Sequence, residues 1–182
     1  YEEVKQTERE VQEKQEKEQR ETEREQSFES ADSVVETFHG DFRQVLREYG
    51  GDIDHIVTDP PYDEDAIELW DAIGEIAADV LPEGGFLVAY SGKAHLPAIY
   101  DALSDHLNYY WQGIVRHNGP GAKIFSRKLR TGYKPVLVYQ KGDLAPQEEF
   151  VSDVIEGSGR EKDDHDWQQA EGEAAELLER FT

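Results

Sequence analysis

The sequence contains no cysteine and no methionine. Without cysteine, the chain can form neither a disulfide framework nor a thiolate metal site. No apolar run approaches the ~20 residues that a transmembrane helix needs, and no signal-peptide pattern opens the chain. We therefore expect a cytoplasmic protein without a membrane segment. Because even position 1 is not methionine but tyrosine, we also expect the chain to be a piece of a longer protein.

Positive charge is scarce as well. The chain has 19 Lys and Arg against 41 Asp and Glu, for a formal charge of −22. One interpretation is an acidic protein that repels nucleic acid phosphates. The other is a proteome-wide acidic bias, as in organisms living in molar salt, where a Debye length of about 3 Å screens the repulsion. The acids are spread over nearly every segment and lysine is rare, which favours the second, halophile-like interpretation.

The apolar residues are concentrated between two polar ends. Residues 1–27 are almost all Glu, Gln, Lys, Arg and Thr. They predict a charged helical linker, since pairs such as Glu10 and Lys14 are spaced four apart. Residues 28–182 hold the one predicted domain, which suits a chain of 182 residues.

Strands and helices alternate over most of this domain. The patterns predict strands at 33–39, 53–58 and 86–90 and helices at 42–49, 66–80 and 95–106. This alternation predicts an α/β fold with a doubly wound, mostly parallel sheet. Strands are predicted at 109–115 and 135–139, with a long loop and no helix between them. A polar connection at 143–164 and a helix at 166–181 complete the prediction.

The strand at 53–58 ends in Asp59-Pro60-Pro61-Tyr62. Prolines cannot continue a strand's hydrogen-bond ladder and fix φ near −65°, so a stiff turn is predicted here. In doubly wound sheets, ligands bind at the carboxyl ends of the strands, where this turn lies. The simpler interpretation is a strand-ending turn without function, because Pro-Pro is common in loops.

Asp59-Pro60-Pro61-Tyr62 resembles the catalytic motif of the amino-methyltransferases, which methylate the exocyclic amine of adenine or cytosine with S-adenosylmethionine. The resemblance implies a Rossmann-like, three-layer methyltransferase fold whose mostly parallel sheet has a late antiparallel hairpin. It also implies that Asp59 and the carbonyl of Pro60 hydrogen-bond the amine, whose lone pair is otherwise delocalised into the base. Pro61 helps to hold the turn, and Tyr62 offers a face on which a flipped base can stack.

Four weaker motifs also match the family and occur in the family's order along the chain. Gly40-Asp41 lies before the catalytic motif. The other three lie after it and are the 81–85 segment LPEGG, Trp111 with Asn118, and the strand at 134–142. The resemblance implies that Asp41 and Asp59 contact the cofactor, Asp41 near its adenosine. His165 and Gln168 match a segment that contacts the cofactor's methionine end. A helix cap with solvated polar residues is the alternative for that segment.

The motif order resembles the permuted, beta-type subgroup, in which the glycine-rich cofactor loop comes last. No such loop is recognisable. We set Gly157-Ser-Gly159 aside because no apolar strand is predicted before it and no helix after it. We therefore expect the chain to end before that loop, with domains missing upstream and downstream. The cofactor site would then be incomplete in this chain.

One window of the chain is basic. Residues 116–142 contain no Asp or Glu but seven Lys and Arg. Within this window we predict DNA contacts for Lys123, Arg127, Lys128 and Arg130, since phosphate binding requires clustered positive charge. The alternative is that the basic residues form internal salt bridges with the acidic body.

Together, the motifs predict a site-specific DNA methyltransferase, as found in restriction-modification systems, that acts on adenine N6. Asp at the first motif position is commoner in adenine enzymes than the Ser of many cytosine-N4 enzymes. Cytosine N4 remains an alternative target. RNA or protein-glutamine amino-methyltransferases usually have Asn at this position. A non-catalytic nucleic-acid-binding module with a methyltransferase-like fold is the rival from a different class.

Overall fold

The computed structural model describes residues 36–49, 52–147, 150–157 and 171–181. The chain divides into two compact units, residues 1–39 and 40–182, and the architecture below is that of the second. The predicted linker at 1–27 lies outside the described residues. So does the first half of the predicted strand at 33–39. Its described part, residues 36–39, is irregular and not a strand.

Seven strands are present in the described residues. They are β1 (Ile56–Thr58), β2 (Phe86–Tyr90), β3 (Asn108–Arg116), β4 (Lys123–Ile124), β5 (Leu129–Arg130), β6 (Tyr133–Gln140) and β7 (Val154–Glu156). Five of them form one sheet in the order β1-β2-β6-β3-β7. β6 is antiparallel to β2 and β3, whereas β1 pairs with β2 and β7 with β3 in parallel. The mostly parallel sheet with a late antiparallel hairpin is thereby confirmed.

Helices cover both faces of this sheet. They are α1 (Phe42–Glu48), α2 (Ile67–Val80), α3 (Leu96–Ser104) and α4 (Glu171–Phe181). α2 buries Trp70 and Ala77 against Leu87 of β2 on one face. On the other face, Leu177 and Phe181 of α4 belong to a second core with apolar side chains of the strands, namely Phe86, Val88 and Tyr90 of β2, Val115 of β3, Val136 and Val138 of β6, and Ile155 of β7. Because β2 is covered on both faces, all five of its residues are buried, which explains its uninterrupted apolar sequence.

The prediction of a long loop without strands between β3 and β6 is wrong, because this segment contains a β-hairpin. β4 and β5 pair through Lys123 with Arg130 and Ile124 with Leu129. The backbone N–H of His117 donates to the Gly132 carbonyl, and that of Thr131 donates to the Ala122 carbonyl. These two hydrogen bonds continue the β3–β6 pairing towards β4 and β5. Gly121 has φ +65°, and a Cβ there would lie 1.7 Å from the Thr131 carbonyl oxygen. Only glycine permits this close approach. We call residues 117–132 the basic hairpin.

The predicted polar connection at 143–164 also contains a strand, β7. Three residues are too few for a recognisable alternation, and pairing with β3 determines their conformation. One reason for setting Gly157-Ser-Gly159 aside is that no strand is predicted before it. That reason is wrong, because β7 directly precedes Gly157. Residues 158–170 lie outside the described residues. In the part of the chain that the structure describes, no helix is long and apolar enough to cross a membrane.

Candidate active site

Strand order brings Asp59 together with the first residues of β6. Thr58 pairs with Ala89 in β2, and Tyr90 pairs with Val136 in β6. Asp59 therefore lies beside the end of β2. Because β6 is antiparallel to β2, β6 begins at the edge of the sheet where β1 and β2 end. Lys134, the second residue of β6, lies at that edge.

Tyr62 and Asp59 interact directly. The Tyr62 hydroxyl donates a hydrogen bond to Oδ1 of Asp59. The Tyr62 ring is half-buried and packs against both apolar cores. Burial, the hydrogen bond to Asp59 and the charge of that carboxylate raise the pKa of the Tyr62 hydroxyl far above its ordinary range. The phenol therefore stays neutral and acts as the donor, and the Asp59 carboxylate is the acceptor.

Lys134 holds the other oxygen of Asp59. Its Nζ lies 3.8 Å from Oδ2 of Asp59, and the two side chains are 19% and 29% exposed. The same Nζ lies 4.7 Å from the centre of the Tyr90 ring, within the range of a cation–π interaction. Asp59 is thus an oriented carboxylate that remains open to solvent on one side. A group of this kind can accept a hydrogen bond from a ligand.

The turn that carries Asp59 and Tyr62 is held in place by contacts with α2 and with the loop after β2. The Trp70 side chain is fully buried, and its Nε1 donates to the carbonyl oxygen of Pro61 at 3.3 Å. Pro60 is buried. Gly92 in the loop after β2 is so close that a Cβ there would lie 2.7 Å from Cβ of Tyr62. The turn is therefore packed against two neighbouring elements.

Gly92→Ala is expected to displace Tyr62 and to lower the free energy of unfolding by about 1–3 kcal/mol, as overpacking does. Gly132→Ala is the matched control, because nothing lies within 4 Å of a Cβ at that position. Urea unfolding of both variants measures the difference. Equal stability of the two variants would contradict the close approach of Gly92 to Tyr62.

Two further basic side chains lie at this edge of the sheet, and sequence reasoning missed both. Lys93 follows β2, and its Nζ lies 3.8 Å from the centre of the Tyr133 ring. His117 follows β3. Burial, followed by the positive charges of Lys93 and Lys134, lowers the pKa of His117. Their position in the sequence could have identified them, since each residue comes directly after, or soon after, the end of a predicted strand.

Asp41 has a structural role within its own helix. It is the N-cap of α1, where its Oδ1 accepts a hydrogen bond from the backbone N–H of Arg43 at 2.9 Å. It also lines an open cavity of about 350 Å³ together with polar and charged residues of α1. The other predicted cofactor residues, His165 and Gln168, lie outside the described residues.

The four predicted DNA-contacting residues lie on the basic hairpin. Lys123, Arg127, Lys128 and Arg130 are all exposed. None of them is ion-paired within the described residues. Arg130 Nη1 donates to the Pro120 carbonyl at 3.2 Å, which leaves the remaining donors of its guanidinium available. For these four residues, the described contacts do not support the alternative of internal salt bridges.

No protein-family model and no curated protein matches the sequence. Among solved structures, the M1.HpyAVI–SAM complex is similar, with a TM-score of 0.62 and 19% identity over 82% of this chain and 78% of that one. TTHA0409 from Thermus thermophilus, assigned as a DNA modification methylase, gives a TM-score of 0.58 and 19% identity over 79% and 73%. Its complex with S-adenosyl-L-methionine gives 0.55 and 21% over 79% and 72%. The chain therefore has the α/β fold of S-adenosylmethionine-dependent methyltransferases.

Proposed function

We propose that this protein is a DNA amino-methyltransferase that uses S-adenosylmethionine and methylates adenine at N6. One observation carries the proposal. Asp59 is an oriented, partly exposed carboxylate at the carboxyl edge of the sheet, held by Tyr62 and Lys134. This edge is where α/β sheets bind their ligands. The similar structures support the proposal, since M1.HpyAVI and TTHA0409 were both solved with S-adenosylmethionine.

The proposed chemistry depends on two acceptors in the turn. An exocyclic amine is a weak nucleophile because its lone pair is delocalised into the ring. Asp59 and the carbonyl of Pro60 each accept one amine hydrogen, which favours a tetrahedral nitrogen with a localised lone pair. Bound S-adenosylmethionine supplies the electrophilic methyl group. The amine nitrogen gives up one proton after the transfer, and Asp59 is placed to receive it.

Tyr62 must change partner when a base binds. Its hydroxyl now hydrogen-bonds the carboxylate that the base amine would use. We infer that the hydroxyl leaves Asp59 as the base enters, and that the ring then stacks on the base. The buried part of the ring keeps it at the site during this change. Trp70 and Gly92 hold the backbone of the turn in place meanwhile.

The described residues are chemically suited to the cofactor. Asp41 and Asp59 are carboxylates, which accept hydrogen bonds from ribose hydroxyls or from the ammonium of S-adenosylmethionine. Asp41 lines the open cavity beside α1, and one of its oxygens already caps that helix. Its other oxygen lies 3.6 Å from Nη1 of Arg43, and because each carboxylate oxygen has two lone pairs, Asp41 can still accept a hydrogen bond from the adenosine part.

Product analysis tests the proposed reaction. The protein is incubated with DNA and radiolabelled S-adenosylmethionine, and the DNA is digested to nucleosides. Labelled N6-methyldeoxyadenosine is the expected product. Labelled N4-methyldeoxycytidine alone would overturn the adenine assignment and favour the cytosine alternative. DNA binding without any labelled nucleoside would favour the non-catalytic nucleic-acid-binding module.

The basic hairpin is expected to carry DNA binding. The triple variant Arg127→Gln, Lys128→Gln, Arg130→Gln should weaken DNA binding and flatten its salt dependence. The slope of log K against log salt should fall by up to about 2.7, because each phosphate that is no longer neutralised reduces it by ~0.9. Fluorescence anisotropy with a labelled duplex at several salt concentrations measures this slope.

Lys141→Gln is the control for the hairpin variant. Lys141 belongs to the same acid-free window but follows the far end of β6, where its Nζ donates to the Leu81 carbonyl at 2.6 Å. The slope of log K against log salt for Lys141→Gln should equal that of the wild type. A triple variant with an unchanged slope would leave the basic hairpin without its proposed role.

A further inference from the structure

Basic side chains from three different elements meet at the edge of the sheet beside Asp59. Lys93 comes from the loop after β2, His117 from the end of β3 and Lys134 from the start of β6. The register accounts for this meeting, since Val115 pairs with Lys134 and Arg116 with Tyr133. The backbone N–H of His117 then donates to the Gly132 carbonyl at 3.0 Å. His117 lies near enough to both lysines for their charges to lower its pKa.

Lys93 is the unusual member of this cluster. The chain has 41 acidic residues, yet no ion pair between Lys93 and a carboxylate occurs among the described residues. Its ammonium lies instead over the Tyr133 ring. Partial burial lowers the pKa of Lys93, which is the expected result of removing an ammonium from water without an anion to replace the hydration.

The charges at this edge do not cancel. Lys134 is paired with Asp59, so the Lys93 ammonium is in excess. The lowered pKa of His117 leaves its imidazole neutral at pH 7, with one N–H donor and one acceptor nitrogen. In a chain with a net charge of −22, the Lys93 ammonium is therefore a positive charge that no ion pair among the described residues neutralises. The aromatic rings of Tyr62, Tyr90 and Tyr133 lie at the same edge.

We infer that Lys93, His117 and Lys134 bind the phosphate group of the nucleotide whose base is held at Asp59. The inference rests on the proposed function and extends it from the base to the backbone. Ammonium and imidazole N–H groups are suitable donors to phosphate oxygens. Contacts to phosphate set the position of a nucleic acid without reading its sequence. Here they would fix the distance between the flanking phosphate and the carboxylate that receives the amine.

A nucleoside and its nucleotide separate the two halves of the site. Dissociation constants for deoxyadenosine and for deoxyadenosine 5′-monophosphate are measured by NMR titration at low salt. The nucleotide is expected to bind about tenfold more tightly or better, as hydrogen bonds to a charged group allow. Inorganic phosphate should compete with the nucleotide but not with the nucleoside. Equal affinities, or no binding of the nucleotide at millimolar concentration, would overturn the inference.

Matched variants assign the preference to the cluster. Lys93→Gln should remove most of the ratio between the two affinities, and Lys93→Arg should retain it. Lys141→Gln makes the same charge change at the far end of β6, where the Lys141 Nζ donates to the Leu81 carbonyl, and should leave the ratio unchanged. If Lys141→Gln lowers the ratio as much as Lys93→Gln does, general electrostatic attraction explains the preference and the site is refuted. The NMR spectra of the free variants establish that each is folded.

The outcome is separable from that of the methyl-transfer assay. A nucleotide preference that depends on Lys93, without labelled product from DNA, would retain the phosphate site and reject the methyltransferase. Labelled product without a nucleotide preference would retain the methyltransferase and reject the phosphate site. Asp59→Asn gives an internal check, since it should weaken deoxyadenosine binding while leaving the phosphate preference at about tenfold or above.

Discussion

Asp59→Ala is expected to lower the rate of methyl transfer by about 10²–10⁴-fold, the range seen when a positioned acid–base group is removed. The variant loses the proposed acceptor for the base amine and the partner of both the Tyr62 hydroxyl and the Lys134 ammonium. DNA affinity should change little, because the proposed phosphate contacts lie mostly on the basic hairpin. Transfer of radiolabelled methyl groups to DNA and anisotropy titration measure the two quantities on the same protein.

Asp63→Ala is the matched control for this prediction. Asp63 is an exposed acid in the same segment, and its side chain makes no capping hydrogen bond to the 3₁₀ turn at Glu64–Ala66 that follows it. Its removal changes the net charge by the same amount and should leave methyl transfer close to the wild-type rate. If Asp59→Ala keeps near-normal activity, Asp59 does not have the proposed role.

Trp70→Ala is expected to lower the free energy of unfolding by about 3–5 kcal/mol, the usual cost of truncating a buried aromatic residue. Domains of this size have total stabilities of about 5–15 kcal/mol, so a large share of the stability would be lost. Trp70 is fully buried between α2 and the sheet, whereas Trp111 is 52% exposed. Trp111→Ala should therefore cost about 1 kcal/mol or less. Urea unfolding of both variants measures the contrast.

Trp70→Phe separates packing from positioning. It keeps an aromatic ring in the core but removes the indole N–H that donates to the Pro61 carbonyl. The loss of one hydrogen bond should cost about 1 kcal/mol of stability, and methyl transfer should fall because the turn loses its anchor. Full activity of a folded Trp70→Phe protein would show that the hydrogen bond to Pro61 does not position Asp59 and Tyr62.

The long, strongly patterned elements could be predicted from the sequence. The predicted α2 and β2 coincide closely with Ile67–Val80 and Phe86–Tyr90. Each has a sequence reason that does not depend on distant contacts. α2 has an apolar stripe at helical spacing that is bounded by a glycine turn, and β2 is an unbroken apolar run.

Three of the four short strands could not be predicted in this way. β4, β5 and β7 have two or three residues each, too few to display a period of two. Their conformation depends on pairing with other strands and not on their own composition. β7, for example, adds to the edge of the sheet beside β3. β4 and β5 are wholly exposed and only the middle residue of β7 is buried, so these segments lack the buried apolar run of a strand such as β2.

The sequence by itself determined that a stiff turn with an acid and an aromatic ring follows an apolar strand. Local chemistry suffices for this, because two consecutive prolines fix φ at two positions and remove two backbone N–H donors. Only the tertiary structure decided what surrounds that turn. β6 lies between β2 and β3, and this order brings Lys134 to Asp59 and His117 to the same edge as Lys93. These residues are further apart in the sequence than any local pattern reaches. Their meeting depends on strand order and direction, which backbone pairing across the whole sheet determines.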